Sequence, residues 1–459
     1  MDFTPLFAPE SLAVIGVSLS NEVHPANVIY AKNHFRSRVR TYAVNPKGGV
    51  LLGERVFKGV GEIPEEVDLA VVAVRAEYVP GVIEECIAAK VGGAVVISGG
   101  FAEAGRRDLE ERLVALSRNA DFPIIGPNCL GIFIPSRLDT LFLPGERIIQ
   151  PEIGDVAFVS QSGGVLVDQM LRFSQEGIGL SAGVSIGNKA VVGEIDLLAH
   201  FSRDAATRVI AFYIEGFARR QGRAFVQAAQ KCPKPVVVLK AGKSPGGQKA
   251  VSSHTASLAG DYAVFRAVCA QHGIIEAQDE QELVSFCESL SRSRSGIRGR
   301  IGIVTGSGGH GAMCVDLCAR YGLEVPAFSE ETQKALRERF SPGIRAIASL
   351  ANPCDLTGSA VDDDFVEAVS FLGSDPTIDC VIVLLLPYLP GTTMDLGARL
   401  SRIRQRYGKA LVAYVPHVEK YRMLIEGFEL NDIPVSRSIE GAVQMADALR
   451  RCKTCRTGR

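Results

Sequence analysis

The sequence predicts an α/β chain of three doubly wound units, and three observations carry that reading. Short apolar runs of strand type alternate with helical patterns from end to end. The first five runs, with candidate crossover segments between them, make a mononucleotide-binding half or somewhat more, so residues 1–130 are expected to form a Rossmann-like unit. The remainder repeats itself: DVAFVSQSGG at 155–164 and RIGIVTGSGG at 300–309 each run from a strand into a Ser-Gly turn and a helix. Two flavodoxin-like units of similar order are the economical explanation.

Taken in order, the first strands are expected at 12–16 (LAVIG), 41–44, 69–74 (LAVVAV), 94–98 (AVVIS) and 123–126 (PIIG). Crossovers fall at 79–90 and 106–119. Residues 131–150, with Pro135 and Pro144, read as a linker. A second unit is expected over 151–292. In it, 185–189 (SIGNK) corresponds roughly to 352–355 (NPCD) of the third unit, 207–215 (TRVIAFYIE) to 378–386, and 235–239 to 410–415. The charged, serine-rich stretch 293–299 reads as a hinge, followed by the third unit over 300–459.

Composition narrows the class. A chain of 459 residues with 47% hydrophobic and 22% charged residues and a net charge of -1 is that of an ordinary soluble globular protein. Near-neutral charge gives no case for nucleic acid or an anionic membrane as partner. No secretion signal is recognisable in MDFTPLFAPESL, and the aliphatic run 381–386 is too short to cross a bilayer. Eleven scattered cysteines suggest reduced, buried thiols and a cytoplasmic location rather than a disulfide framework. Cys452 and Cys455 have no second pair nearby, so no metal site is expected.

The first unit should hold a nucleotide. Gly16 and Ser18 end the first strand, although the turn lacks the GxGxxG pattern. At the end of the second strand, where NAD enzymes place an acid for the ribose, stand Asn45, Pro46 and Lys47. Lys47 suits a phosphate, so an adenine nucleotide with an extra phosphate, such as coenzyme A, fits better than NAD; a plain turn with a solvated lysine is the alternative.

Two further turns, Gln161-Ser162-Gly163-Gly164 and Ser307-Gly308-Gly309, sit between strand and helix. The unpaired N–H groups of a helix's first turn and its dipole favour an anion there, so both are candidate phosphate sites. His254 lies in AVSSHTASLAGDY (250–262), among small and hydroxyl residues, after an apolar run ending at Leu239 and a loop from Lys240. On local composition it is a surface-loop histidine; with two phosphate turns in the chain it becomes a candidate phosphoryl acceptor, since neutral imidazole is a good nucleophile. Glu215, at the end of TRVIAFYIE, is the candidate carboxylate to hold the imidazole, or else a surface residue starting a helix.

The chain resembles the α subunit of NDP-forming acyl-CoA synthetases, the ADP-forming acetate–CoA ligases related to succinyl-CoA synthetase. The resemblance runs through Asn45-Pro-Lys47, Ile97-Ser-Gly-Gly-Phe101, Gly126-Pro-Asn-Cys-Leu-Gly131, Phe158-Val-Ser-Gln-Ser-Gly-Gly164, Ser185-Ile-Gly-Asn-Lys189, Tyr213-Ile-Glu-Gly216, Ser252-Ser-His-Thr255 and Asn352-Pro-Cys-Asp355. It implies a CoA-binding unit, with Gly16, Ser18, Asn45, Pro46, Lys47, Val74, Ser98, Gly99, Asn128 and Cys129 near CoA. It further implies two ligase units, with His254 as the phosphorylated residue on a mobile loop, Glu215 as its partner, and the turns at Gln161–Gly164 and Ser307–Gly309 holding phosphate. The implied reaction converts acyl-CoA, ADP and phosphate into acid, CoA and ATP. ADP or ATP and Mg²⁺ would be bound by a separate ATP-grasp β subunit, for which three α/β units leave no room here, in an α2β2-like assembly or on an α homodimer.

This chain departs from the family pattern in two places. After Lys189 it has Ala190-Val191-Val192-Gly193 where an acidic residue and valine are usual, and His310-Gly311 replaces a Pro-Gly. A silent CoA or acyl-CoA sensor of the same fold is the alternative function, and retention of both His254 and Glu215 speaks against it.

Overall fold

The computed structural model describes the chain except residues 219, 256–260, 294 and 458–459, and the side chains of 252–255 and 456–457. Two compact units divide it, Met1–Gln278 and Asp279–Arg459.

The first unit contains two sheets. One is built from β1 (Ser11–Ile15), β2 (Arg40–Val44), β3 (Gly49–Leu51), β4 (Glu54–Phe57), β5 (Leu69–Val72), β6 (Gly93–Val96) and β7 (Ile124–Ile125), in the order β3-β4-β2-β1-β5-β6-β7. Apart from the antiparallel edge strand β3, this is the parallel order of a dinucleotide-binding sheet, with its reversal point between β1 and β5. All residues of β1, β5 and β6 are buried, as expected of strands covered by helices on both faces.

The other sheet of this unit contains β8 (Gly131–Ile134), β9 (Leu138–Asp139), β10 (Ile153–Ser160), β11 (Leu180–Ser185), β12 (Val209–Ile214), β13 (Val236–Lys240) and β14 (Ile275–Ala277). Their order is β14-β13-β12-β10-β11-β8-β9. The stretch 131–150, expected as a linker, therefore opens with a hairpin that belongs to this sheet. β8 pairs antiparallel with β11, Gly131 opposite Ser185 and Phe133 opposite Gly183. Buried Ile132 and Phe133 supply the apolar surface that such an added strand needs.

In the second unit β15 (Ile301–Thr305), β16 (Cys354–Asp355), β17 (Cys380–Leu384), β18 (Ala410–Tyr414) and β19 (Val435–Ser436) form one parallel sheet, ordered β16-β15-β17-β18-β19. Counting strands from β10 and from β15, both sheets have the flavodoxin-like order 2-1-3-4-5. The sequence repeat is thus a repeat of topology.

The helix Glu280–Arg292 belongs to this unit, so the boundary between the compact units falls before the expected hinge at 293–299. Nine consecutive residues of that helix, from Glu282 to Leu290, are buried. It packs on the helix Ile439–Arg451, with Ser285 Oγ 3.1 Å from Gln444 Oε1 and Ser289 Oγ donating to Met445 O at 2.8 Å. Within the expected hinge, Ile297 is buried and donates its N–H to Leu449 O.

Nine cysteines are free and buried, as expected, whereas Cys452 and Cys455 form a disulfide that the composition argument did not anticipate. Their three-residue separation at the end of helix Ile439–Arg451 brings the two sulfurs together. Among the described residues no helix is long and apolar enough to cross a membrane, and no group of three or more His, Cys, Asp or Glu side chains is arranged to hold a metal.

Candidate functional site: the carboxyl edges of the parallel sheets

Each expected nucleotide-binding residue of the first sheet lies beyond the carboxyl end of a strand. Gly16 follows β1 with φ +99°, and a Cβ there would fall 2.5 Å from Ala73 O, so close passage of the β5 end requires glycine. The next turn is held from within by buried Asn27, whose Oδ1 accepts from Ser18 N (2.7 Å) and whose Nδ2 donates to Ser18 O (2.8 Å). Sequence reading missed Asn27 because it sits inside a helix, Pro25–Arg36, where a polar residue normally faces water.

Asn45 acts as a staple. Its Nδ2 donates to Val17 O at 2.7 Å and its Oδ1 accepts from Lys47 N at 2.9 Å, fixing the turn that exposes Pro46 and Lys47. Ser98 Oγ donates to Val74 O at 2.6 Å, tying the ends of β5 and β6 together. Asn128 lies beside Gly99, and its Nδ2 donates to Asn188 Oδ1 at 3.2 Å. Cys129 is buried with its thiol on Val96 O, and burial pushes its pKa up to about 12. Any approach of a ligand to Cys129 is therefore to its backbone.

The segment after β11 runs along the end of this first sheet. Asn188, Ala190 and Val192 donate N–H bonds to Pro127, Gly126 and Ile124 carbonyls at 2.9, 3.1 and 3.2 Å. A side chain on Gly187 would fall 2.3 Å from Asn128 O, which accounts for the glycine of the SIGNK motif. Both sheets of the unit thus meet at the edge where the candidate residues collect.

On the second sheet, Gln161 and Glu215 are brought together. Gln161 follows β10, Glu215 follows β12, and both are buried. Gln161 Oε1 accepts from Glu215 N (2.6 Å) and Gly216 N (3.1 Å), while its Nε2 donates to Gly216 O (2.8 Å) and to Glu194 Oε1. Lys189, from the segment after β11, donates to Gly216 O (2.7 Å) and pairs with Glu194. Lys240, the last residue of β13, donates to Glu215 O (2.7 Å) and Ala241 O. Every backbone polar group of Glu215 and Gly216 is therefore satisfied by a side chain. The Glu215 carboxylate differs: among the described residues its buried Oε2 has no hydrogen-bond partner.

Lys189, Glu194 and Lys240 carry this clamp, and sequence reading missed all three. Lys240 was expected to begin a loop; it is a buried strand residue. A lysine closing an unbroken apolar run, VVVLK, was the available signal.

Ser162 caps the helix Gly163–Gln175, with Oγ accepting from Val165 N at 3.4 Å, and this helix starts directly after Gln161. The related turn of the second compact unit differs. Ser307 makes no capping bond; its Oγ lies 3.0 Å from His310 Nδ1. A Cβ on Gly308 would fall 2.9 Å from Asp355 Oδ2, so a carboxylate stands at this helix start. Gly309 follows in the first turn. His254 was expected on a loop; its backbone belongs to the helix Pro245–Thr255, and its side chain lies outside the described residues.

Comparison with known proteins fits this layout. A CoA binding domain model matches residues 10–135, and a succinyl-CoA ligase like flavodoxin domain model matches 153–290. The α subunit of acetate–CoA ligase [ADP-forming] I from Pyrococcus furiosus is 34% identical over 98% of this chain and 97% of its own length. The chain belongs to the ADP-forming acetate–CoA ligase family. Acetate–CoA ligase [ADP-forming] I of Archaeoglobus fulgidus is 40% identical over 83% of the chain, and the match spans 54% of that relative, so the chain covers about half of this longer family member. Among solved structures, the dinucleotide forming acetyl-coenzyme A synthetase 1 of Ca. Korarchaeum cryptofilum, in complex with phosphate and ADP, superposes with a TM-score of 0.87 at 30% identity, covering 99% of this chain and 98% of that one. The ligase family thus extends over all three sheets.

Proposed function

We propose that the chain is the α subunit of an ADP-forming acyl-CoA synthetase, interconverting acyl-CoA, ADP and phosphate with a carboxylic acid, CoA and ATP. The observation that carries this reading is the buried Glu215 Oε2, without a hydrogen-bond partner among the described residues, at the carboxyl edge of a sheet whose neighbouring turn opens a helix N-terminus. A buried carboxylate oxygen without a donor is costly, and an imidazole N–H supplied during turnover would satisfy it. The names of the relatives, all ligases or synthases acting on CoA, favour catalysis over a silent sensor.

In the half-reaction that cleaves acyl-CoA, Gly16, Ser18, Asn45, Pro46, Lys47, Val74, Ser98, Gly99, Asn128 and Cys129 border the CoA site, with Lys47 on the phosphate-bearing end. A phosphate oxygen attacks the thioester carbonyl, the C–S bond breaks, and CoA leaves as thiolate to form an acyl phosphate. A ring nitrogen of His254 then attacks phosphorus; the bond to the acyl oxygen breaks and the carboxylate departs. Glu215 holds the other ring nitrogen in the N–H tautomer and stabilises the cation that forms. In the turn Gln161-Ser162-Gly163-Gly164, the N–H groups of Gln161 and Ser162 are taken by Tyr213 O and Ser160 Oγ, and those of Gly163 and Gly164 stabilise the transferring phosphoryl oxygens. The turn Ser307-Gly308-Gly309 is the candidate phosphate site of the second unit.

ADP would receive the phosphoryl group on a separate ATP-grasp β subunit, which would bring the Mg²⁺. Incubating the purified chain with acetyl-CoA and phosphate, with and without such a partner, and measuring intact mass tests the reading. One added phosphate, lost in acid and absent from His254→Ala, is expected. Full turnover by His254→Ala with the partner present refutes the carrier role.

A further inference from the structure

The clamp around Glu215 contains two lysines in different electrical situations. Lys189 is neutralised by Glu194 at bonding distance. Lys240 is buried, and its ammonium donates to two carbonyls, Glu215 O and Ala241 O, and to no carboxylate among the described residues. A buried ammonium so placed is unusual, because desolvation works against it and a neutral side chain would fill the space more cheaply.

The two carbonyls explain what it joins. Glu215 is the first residue beyond β12. Ala241 is the first beyond β13, in the short segment leading to the helix Pro245–Thr255, on which His254 lies. One ammonium therefore ties the carboxylate-bearing strand end to the root of the histidine-bearing segment. Ala241 N also donates to Ile214 O at 2.9 Å, so the β13 end donates twice to the β12 end, once from backbone and once from the lysine.

We propose that Lys240 is a positioning residue for Glu215: its ammonium pins the Glu215 carbonyl to the root of the His254 segment and sets a positive charge beside the buried carboxylate. This rests on the reading of Glu215 and His254 given above. The charges that bear on Lys240 come from every neighbouring element: Glu215 after β12 and Glu276 on β14 attract it, while Lys243 after β13 and Lys189 after β11 oppose it. Desolvation is the largest influence, and Lys240 is pushed down to about 8. Its charge is then present at neutral pH and lost as pH rises through that value.

The test compares the wild-type chain with Lys240→Met and Lys240→Arg, following phosphate incorporation from acetyl-CoA and phosphate under the conditions that label the wild type. CoA affinity serves as the control for folding. Lys240→Met is expected to slow labelling by about tenfold or more at neutral pH while the CoA Kd changes less than about twofold. Lys240→Arg, which keeps its charge at all working pH values, is expected to restore most of the rate and to remove the decline that the wild type shows above about pH 8.

Labelling of Lys240→Met at the wild-type rate overturns the proposal. So does a Lys240→Arg profile that declines with the wild type, and this second arm decides the matter should the methionine variant not fold. The two readings fail differently: absence of label on wild type with every acyl-CoA removes the phosphohistidine chemistry itself, whereas labelling of all three proteins alike removes only the role of Lys240.

Discussion

The amide oxygen of Gln161 accepts from the backbone N–H of both Glu215 and Gly216, at 2.6 and 3.1 Å, across the gap between the ends of β10 and β12. One residue of the turn FVSQSGG is therefore spent on orienting a carboxylate rather than on touching an anion.

Replacing Gln161 by Leu leaves two buried N–H groups without an acceptor, while Gly216 O keeps Lys189, and should cost about 3 kcal/mol of stability. Gln161→Glu keeps an acceptor but sets a second carboxylate against Glu194, with the same sign of effect at neutral pH. Urea unfolding of both variants checks this. Near-wild-type midpoints would show that the clamp is not strained by losing its centre.

Lys47 is exposed at the edge of the first sheet with its backbone fixed by Asn45. Lys47→Ala should weaken CoA about five- to tenfold and dephospho-CoA much less, the difference shrinking at high salt. Titration calorimetry with both ligands measures it, and equal losses would place Lys47 away from the 3′-phosphate.

Gly16→Ala forces a side chain into Ala73 O at a backbone conformation that alanine resists. A loss on the order of 2–4 kcal/mol is expected, read as a lower thermal midpoint. A midpoint unchanged from wild type would mean that the turn after β1 can open without penalty.

Stability should also report Lys240. Its pKa in the folded chain is near 8, below the ordinary lysine value, so between those values the unfolded chain binds more protons than the folded one. Stability of wild type relative to Lys240→Met must therefore rise as pH increases from about 8 to 10, the direction opposite to the expected loss of phosphorylation. Denaturant midpoints of the pair across that window check the sign.

Much of the architecture is legible along the chain because its signals are local. Apolar runs such as LAVVAV and VVVLK, each followed by a helical pattern, mark strand and crossover without reference to distant residues. The paired runs into SGG at 155–164 and 300–309 announce the duplicated topology for the same reason. Gly16, Asn45, Gln161, Glu215 and Ser307 were found at strand ends because a parallel sheet gathers chemistry there.

What tertiary structure alone decided depends on partners far away in sequence. Whether 131–139 is a linker or a hairpin rests on the edge that β11 offers some fifty residues later. Asp355 meets the helix start at Gly308 through a chain path that no local pattern encodes. Lys189, Glu194 and Lys240 read as solvated charges in sequence, since charged side chains are seldom buried. Glu194 and Lys240 are buried and Lys189 half-buried because adjacent strand ends converge, and the carbonyls of Glu215 and Gly216, cut off from water, need the donors that the two lysines provide.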